Sequence, residues 1–312
     1  MLSSKQETAD ACCQQIRWAD LDMGPIETLI RLAVAEDNEG SGLRIKPIQT
    51  GDATSALLPE GQRLVATARA RETLTLSGLP LVPHILAAYG SSLTFEPRAQ
   101  DGDSLEQGEA IGVLSGLAKP ALSAERVLLN FLQRLSGIAT TTRSYAKALE
   151  GSNTRLLDTR KTTPGYRYLE KYAVACGGGW NHRMGLFDRV MLKDNHLATF
   201  GNDLAESTRA AVETSRQRAP HLKIEMEVDR IGQIDAALNA GVDIILLDNF
   251  PVDAIEKAVT IIGSRAATEI SGNVTLDTLP LIRELGCDFV STGALVHKSS
   301  WVDIGLDWEE QD

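Results

Sequence analysis

The sequence predicts an α/β protein in which an N-terminal domain of layered helices and short strands precedes a parallel (β/α) barrel. Up to about residue 122, strand-like and helix-like segments follow one another in mixed order, as in α+β layer domains. From Thr154 the chain changes to a strand–helix repeat with six short apolar strands, which suits a parallel sheet buried on both faces. Nearly every one of these strands ends in polar residues. A barrel gathers such ends at one mouth, so the barrel is favoured over an open sheet.

Composition excludes several classes of protein. The 312 residues suffice for about two domains. With 31 Lys and Arg against 42 Asp and Glu, the net charge of −11 argues against nucleic acid or an anionic membrane as partner. No apolar run reaches the roughly 18 residues that span a bilayer, and the start, MLSSKQETADACCQQ, lacks the apolar region of a secretory signal. The four cysteines have neither disulfide nor zinc spacing. These features predict a cytoplasmic protein.

The N-terminal part is predicted to comprise three regions. Residues 1–24 are polar and aperiodic, which predicts a flexible arm. Residues 25–122 form the first domain, beginning with a helix over 25–38 for which Pro25 suits the first turn. The other elements expected in this domain are strands over 63–70, 92–97 and 110–115 and a helix over 79–89. Connecting helices occupy 123–153, as one amphipathic stretch over 123–149 or two joined near Gly137.

Residues 154–312 are predicted to form the barrel. Its strands are expected over 155–158, 190–193, 222–228, 244–248, 267–270 and 289–291. Its helices are expected over 204–218, 231–239, 252–262 and 276–285.

Positive charge is concentrated where the first strands end. Arg160 and Lys161 follow the first strand, and Arg183 and Lys193 come later in the same stretch. Between Asp158 and His196 there are seven Lys or Arg and four Asp or Glu, a local balance of +3 within an acidic chain. A single basic pair is as easily a solvated loop, but convergent cations indicate a small polyanion, since Arg binds carboxylate or phosphate with two parallel hydrogen bonds.

Carboxylates follow on the next strands. In IEMEVD, the strand period of two puts Glu225 and Glu227 on one face, pointing into the barrel, and Asp248 ends the following strand. Inward acids need compensation by cations or a metal. Glu227 and Asp248 form the kind of oxygen set that Mg²⁺ takes when a phosphate completes its shell. The alternative is that they only pair with the basic residues.

The last two strand ends are predicted to bind an anion. Glycine lies in both, within Ser271–Asn273 and Ser291–Gly293, and it permits close backbone approach. We expect the helix start after each loop to offer free N–H groups, and barrel enzymes often hold a phosphate there.

Lys193 admits a different interpretation. A lysine at the end of a barrel strand can form a Schiff base, as in aldolases, provided that its pKa is depressed in a weakly charged pocket. The number of cations nearby fits anion binding better.

The chain resembles the quinolinate phosphoribosyltransferase family. The segments that carry the resemblance, in family order, are SAERVLLNFLQRLSGIAT, LDTRKTTPG, GGGWNHRMGLFDRVMLKDNH, EMEVD, IILLDNF, EISGNVTL and STGALVHKS. The resemblance implies an N-terminal α/β sandwich domain joined to an incomplete (β/α) barrel of about six to seven parallel strands. It implies transfer of the phosphoribosyl group of phosphoribosyl pyrophosphate to quinolinate with decarboxylation, giving nicotinate mononucleotide, CO2 and pyrophosphate, in NAD biosynthesis.

Roles carry over by position from the same resemblance. The residues that it implies for catalysis are Lys161, Lys193, Glu227 and Asp248. Those that it implies for substrate binding are Arg126, Thr159, Arg160, Lys161, His182, Arg183, Lys193, Glu227, Asp248, Ser271, Gly272, Asn273, Ser291, Thr292 and Gly293. Glu227 and Asp248 would hold Mg²⁺ together with phosphoribosyl pyrophosphate. Arg126 would come from the neighbouring subunit of a homodimer, or of a hexamer, with a shared active site.

Other functions remain open at this point. One is a related phosphoribosyltransferase that acts on another acid, which the many cations of the site disfavour. Another is a binding protein without activity, although Arg160, Lys161, Glu227 and Asp248 are all present. The chain departs from the family in ARETLTLSGL and in its longer N-terminal arm, neither of which includes an implied ligand residue.

Overall fold

The computed structural model describes residues 4–308, with side chains from residue 7 onward. The chain divides into two compact units, each described here by itself. The parallel unit comprises the residues up to Gln15, Thr142–Thr162 and Gly179–Lys298. The antiparallel unit comprises Ile16–Thr141, Thr163–Gly178 and the residues from Ser299 onward.

The regular elements are as follows in chain order. The helices are α1 (Ser4–Cys12), α2 (Met23–Glu39), α3 (Val82–Tyr89), α4 (Ala118–Ala148), α5 (Arg167–Cys176), α6 (Asp194–Leu197), α7 (Leu204–Arg218), α8 (Ile234–Ala240), α9 (Val252–Ile262), α10 (Leu279–Arg283) and α11 (Ala294–His297). The strands are β1 (Arg63–Ala70), β2 (Leu74–Thr75), β3 (Thr94–Pro97), β4 (Ser104–Leu105), β5 (Ala110–Leu117), β6 (Arg155–Leu157), β7 (Val190–Leu192), β8 (Ile224–Val228), β9 (Ile244–Asp248), β10 (Ala267–Ser271), β11 (Phe289–Ser291) and β12 (Ile304–Trp308).

The antiparallel unit is built on a four-stranded sheet in the order β12-β1-β5-β3. Ala66, Ala68 and Ala70 of β1 are fully buried and alternate with more exposed residues, so one face of the sheet packs into the core. The central strands agree with the predicted ones. β12 was not predicted, because its pairing with β1 joins segments more than 230 residues apart.

Helix α4 is continuous over 31 residues and begins five residues before the predicted start at Ser123. It does not break at Gly137. A side chain at that position would collide with the backbone of Ser300, so the glycine permits a close approach of two chain segments. Although α4 is long, neither it nor another helix in the described part of the chain is apolar enough to cross a bilayer.

Helix α5 is an element that the sequence analysis did not predict. Its Glu170 is fully buried and accepts hydrogen bonds from Arg134 Nη2 at 2.7 Å and from the backbone and hydroxyl of Thr163, each at 2.8 Å. This network ties α5 into the antiparallel unit. The helix that follows the first parallel strand is therefore not part of the parallel unit.

The parallel unit contains a six-stranded parallel sheet in the order β6-β11-β10-β9-β8-β7. All six predicted strands are present, with ends shifted by at most two residues. Trp180 extends the β6 edge by a parallel bridge to Leu157, and Gln14 bridges to Asn181 beside it. The predicted α/β class is confirmed.

The N-terminal segment differs from the predicted loose arm. Helix α1 packs against the parallel sheet, where Ala9, Cys12 and Cys13 form a buried cluster with the first residues of β9, β10 and β11. The sequence did not predict this helix because α1 is mostly polar and its small apolar face is too short to give a periodic pattern.

Candidate active site

Three predicted site residues lie side by side at the carboxyl end of the parallel sheet. Ser271 is the register partner of Asp248 on one side and of Ser291 on the other. Adjacent parallel strands are about 4.8 Å apart, so these residues form one row across β9, β10 and β11. The predicted convergence of strand ends is thus present for these three residues.

The loops after β9 and β10 hold one another. Asn249 and Asn273 have left-handed backbones, with φ of 56° and 55°. Asn249 N donates to Ser271 O at 2.9 Å, and Asn273 Nδ2 donates to Asn249 Oδ1 at 3.1 Å. A side chain at Gly272 would collide with Asn249. These contacts hold the loop in place. The helix predicted over 276–285 begins three residues later than predicted, at Leu279, so its start does not adjoin Asn273.

The loops after β6 and β11 are also in contact. A Cβ at Gly293 would lie 2.8 Å from Cδ of Lys161, so the absence of a side chain there lets the lysine stem pass over the loop. Thr292 N donates to Leu157 O at 3.1 Å, and Lys161 N donates to Thr159 Oγ1 at 3.0 Å. Lys161 itself is exposed. The structure therefore brings Thr159, Lys161 and the Thr292–Gly293 turn together.

The positive charges of Arg160 and Arg183 act on one another. Burial and the positive charge of Arg160 lower the pKa of Arg183 below its usual range. Arg160 Nε is buried and has no hydrogen-bond partner within residues 4–308. Two cations held together, one with a buried donor that is not satisfied, are an arrangement that an anion would stabilise.

Asp158 fixes the turn that carries Arg183. It is fully buried, and its carboxylate accepts from His182 N at 2.8 Å and from Asn181 Nδ2 at 2.9 Å. The sequence analysis noted Asp158 only as a polar strand end. The one available signal was its position directly after an apolar strand, before the basic pair.

His182 lies in a buried group of charges. Its Nε2 is 3.3 Å from Glu269 Oε1, 3.5 Å from Glu225 Oε2 and 3.1 Å from Arg189 Nη1. Burial disfavours the imidazolium, but Glu269 and Glu225 outweigh it and raise the pKa of His182 to about 9. Its Nδ1 lies 2.8 Å from the backbone N of Arg183. Glu269 and Arg189 belong to this site and were not predicted as site residues, because charge alone does not reveal which side chains turn inward.

Lys193 and Glu227 form an ion pair at the ends of β7 and β8. Glu227 and Asp248 both line a cavity of about 450 Å³, together with Asp194, Asp229 and Arg230. As predicted, Glu225 and Glu227 lie on one face of β8, and Met226 and Val228 on the other face are buried. Glu225 is fully buried, whereas Glu227 stays partly exposed and accessible from the cavity.

Two sets of residues have donor atoms suited to a metal. His182, Glu225 and Glu269 have ligand atoms within 4.8 Å of one another. Arg189 Nη1, however, lies 2.9 Å from Glu225 Oε2 and occupies the space between them. Glu227 and Asp248 instead offer two partly exposed carboxylates beside a cavity. That set fits Mg²⁺, which takes one or two carboxylates and completes its shell with phosphate and water.

Arg126 belongs to the antiparallel unit, on α4, and its side chain is exposed. All other predicted site residues belong to the parallel unit.

Comparison with known proteins agrees with this arrangement. The family models of the quinolinate phosphoribosyl transferase N-terminal and C-terminal domains match residues 52–136 and 138–307. A probable nicotinate-nucleotide pyrophosphorylase [carboxylating] of Bacillus subtilis is 39% identical over 84% of this chain and 90% of its own length. The chloroplastic nicotinate-nucleotide pyrophosphorylase [carboxylating] of Arabidopsis thaliana is 37% identical over 98% of this chain and 89% of its own.

Solved structures give the same result. The nicotinate-nucleotide pyrophosphorylase from Francisella tularensis has a TM-score of 0.85 at 32% identity, covering 95% of this chain and 99% of that one. NadC from Streptococcus pyogenes has a TM-score of 0.83 at 36% identity, covering 93% and 99%. Because both domain models match and the relatives are aligned over most of their length, the chain belongs to the quinolinate phosphoribosyltransferase family.

Proposed function

We propose that this enzyme transfers the phosphoribosyl group of phosphoribosyl pyrophosphate to quinolinate and releases pyrophosphate and CO2, leaving nicotinate mononucleotide. The observation that carries the proposal is Arg160, whose buried Nε has no hydrogen-bond partner in the described chain and whose positive charge acts on Arg183. A dicarboxylate supplies the missing negative charge in the planar form that arginine binds best.

The two substrates, quinolinate and phosphoribosyl pyrophosphate, would bind to two different parts of the site. Arg160, Lys161 and Arg183 would bind the quinolinate carboxylates at the ends of β6 and before β7. Ser271–Asn273 and Ser291–Gly293 would bind the 5′-phosphate through backbone N–H groups and hydroxyls, since both loops are held rigid by neighbouring contacts. Glu227 and Asp248 would bind the ribose hydroxyls between them.

The reaction follows from this placement. The pyridine nitrogen forms a bond to the anomeric carbon while the bond to pyrophosphate breaks, and the ribose passes through a cationic transition state. The carboxylates of Glu227 and Asp248 stabilise that positive charge. The carbon–carbon bond to the 2-carboxylate then breaks, its electron pair is stabilised by the cationic ring, and a proton from solvent replaces CO2. Clamping the dicarboxylate positions the ring nitrogen for attack.

Magnesium belongs to this proposal. Glu227 and Asp248 would hold it with the pyrophosphate group, and when bound it neutralises charge on the leaving group. The pairing of Glu227 with Lys193 is compatible, because both side chains are partly exposed and such an ion pair exchanges partners at modest cost.

Formation of a Schiff base at Lys193 is disfavoured. The reaction needs a free amine, whereas the Nζ of Lys193 is held in an ion pair with Glu227. Borohydride trapping tests this alternative, and we expect no covalent adduct at Lys193.

We also propose a homodimer, or a hexamer built from such dimers, with Arg126 completing the partner's site. Arg126 is exposed, and the same unit exposes the large apolar side chains of Leu43, Ile45, Ile48 and Leu57. Exposed apolar groups of this size are typical of an interface. Free cysteines at positions 12, 13, 176 and 287 support a reducing compartment.

A direct assay tests the proposed function. The purified protein is incubated with quinolinate labelled in the 2-carboxylate, phosphoribosyl pyrophosphate and MgCl2, and nicotinate mononucleotide and labelled CO2 are quantified. We expect both products in equal amounts, and none when EDTA replaces MgCl2. Product formation that does not depend on quinolinate would contradict the proposal.

A further inference from the structure

Arg189 is a buried arginine next to the site that the proposed chemistry does not use. It directly precedes β7 and is 3% exposed. Its Nη1 donates to Glu225 Oε2 at 2.9 Å, and the same atom lies 3.1 Å from His182 Nε2 and 3.9 Å from Glu269 Oε2. One guanidinium nitrogen therefore contacts all three other members of a buried group of charges.

This group has few other donors. Glu225 Oε1 and both carboxylate oxygens of Glu269 accept no hydrogen bond from the described residues. A buried carboxylate without compensation is strongly destabilising. Arg189 supplies the one permanent positive charge of this group, so without it the two buried acids lose their main compensation.

Arg189 is itself fixed from the opposite side. Its Nη2 donates to the carbonyl of Cys12, the last residue of α1. The chain beyond α1 is tied to the same region, because Asn181 N donates to Gln14 O at 2.7 Å. The N-terminal segment thus contacts both ends of the turn that runs from Asn181 to Arg189.

The connection to the substrate pocket runs through His182. Its Nε2 faces Arg189 and the acids, while its Nδ1 accepts a hydrogen bond at 2.8 Å from the backbone N–H of Arg183, a residue on which the charge of Arg160 acts. Because an imidazole ring is planar and rigid, the contacts at Nε2 restrict where Nδ1 can lie. The position of Arg189 and the two acids therefore influences the position of the Arg183 backbone through the His182 ring.

We propose that Arg189 is a positioning residue for dicarboxylate binding, acting through Glu225, Glu269 and His182 to hold the Arg183 turn and to compensate the two buried acids. This inference rests on the proposed function. It predicts a selective effect, because within residues 4–308 no hydrogen bond or ion pair joins Arg189 to Ser271–Asn273, Glu227 or Asp248.

The test compares Arg189→Met and Arg189→Lys with the wild-type protein. Quinolinate Kd is measured by calorimetric titration, and KM is measured for both substrates. We expect Arg189→Met to raise the Kd and KM for quinolinate by about ten- to a hundredfold, as for other residues that orient a ligand-binding group, with the KM for phosphoribosyl pyrophosphate nearly unchanged. Arg189→Lys should show a smaller increase, because its ammonium keeps the charge but loses the second donor.

Three further variants keep the test decisive. Arg189→Met/Glu225→Gln removes one charge of each sign, so it gives a folded protein if Arg189→Met alone does not fold, and its quinolinate Kd should still be raised. Arg216→Met removes an ion pair with Asp243 in the same unit, and it should lower stability without a selective effect on quinolinate. His182→Asn should reduce the additional effect of Arg189→Met, because residues that act through one another are not additive.

The inference is overturned if folded Arg189 variants bind quinolinate like the wild type, or if KM rises equally for both substrates. Failure of the proposed function is distinguishable, since then the wild-type protein itself would form no nicotinate mononucleotide.

Discussion

Lys193 Nζ is ion-paired with Glu227 Oε2, which joins the predicted quinolinate side of the site to the predicted ribose side. Removing the acid leaves the lysine without this partner and leaves the substrate's cationic ribose with one carboxylate fewer. We expect Glu227→Ala and Asp248→Ala to lower kcat by about a hundredfold or more, as loss of a charge-stabilising group usually does. The Mg²⁺ concentration that gives half-maximal rate should increase.

Direct titration with quinolinate checks the assignment of these two acids. Its Kd should change much less than kcat does. Glu256→Ala, which removes an exposed carboxylate on α9, serves as the matched control and should leave both values unchanged. If the acid variants lose quinolinate affinity as strongly as activity, they belong to the other half of the site.

Substrate choice should follow the number of carboxylates. Nicotinate lacks the 2-carboxylate, so its binding would leave part of the Arg160–Arg183 pair without a partner in a partly buried site. We expect kcat/KM for nicotinate to be lower by on the order of 10⁴, the usual size of discrimination by a missing polar group. Competition between both acids for limiting enzyme measures this ratio. Equal efficiency would show that the cations serve another ligand.

The protonation of His182 should produce a pH dependence above neutrality. Its folded-state pKa of about 9 lies above the unfolded value of about 6.5, so its contribution to stability is complete below about pH 6.5 and is lost as pH rises through 9. Loss of this proton also adds negative charge to the group with Glu225 and Glu269. Quinolinate affinity should therefore decrease between pH 7.5 and about 9.5.

The His182→Asn variant is the reference for this measurement. Its unfolding midpoint in urea and its quinolinate Kd should change less over the same pH range than those of the wild type. Parallel pH curves for the two proteins would assign the effect to another group.

The shared-site proposal predicts complementation between inactive variants. Arg126→Ala and Arg160→Ala should each be nearly inactive, and mixing them with subunit exchange should restore activity. In a mixed dimer one site carries both lesions and the other carries neither. Since about half of the dimers are mixed after random exchange, recovery should approach about a quarter of wild-type activity. If exchange is demonstrated by mass spectrometry without recovery, Arg126 acts within its own chain.

The antiparallel unit offers a stability prediction that is independent of activity. Glu170 is fully buried against Arg134 and Thr163, so Glu170→Ala leaves a poorly compensated cation and should lower the free energy of unfolding by about 3–5 kcal/mol. Glu27→Ala, which breaks an exposed pair with Arg31, should cost about 0–1 kcal/mol. Urea unfolding followed by circular dichroism compares the two. Equal costs would mean that the Glu170 network is not structurally important.

The local sequence pattern was sufficient to predict a helix or strand wherever buried residues recur at regular spacing along it. Periodicity in the sequence predicts the six apolar strands of the parallel sheet, the alternating strand β1 and the amphipathic helix α4. The same strand pattern put Arg160, Glu227 and Asp248 at strand ends. Asp248, Ser271 and Ser291 then form one row because parallel strands of similar length end at a common edge.

Contacts between distant segments were decided only by the tertiary structure. No local pattern indicates that β12 pairs with β1, that α5 belongs to the antiparallel unit, or that α1 packs under the parallel sheet. The sequence marks Arg189 and Glu269 only as charged, like most surface residues. In the structure both residues are buried together with His182. This contact requires side chains from separate strands to turn inward at the same depth. Their charges can therefore compensate one another only once the sheet has formed.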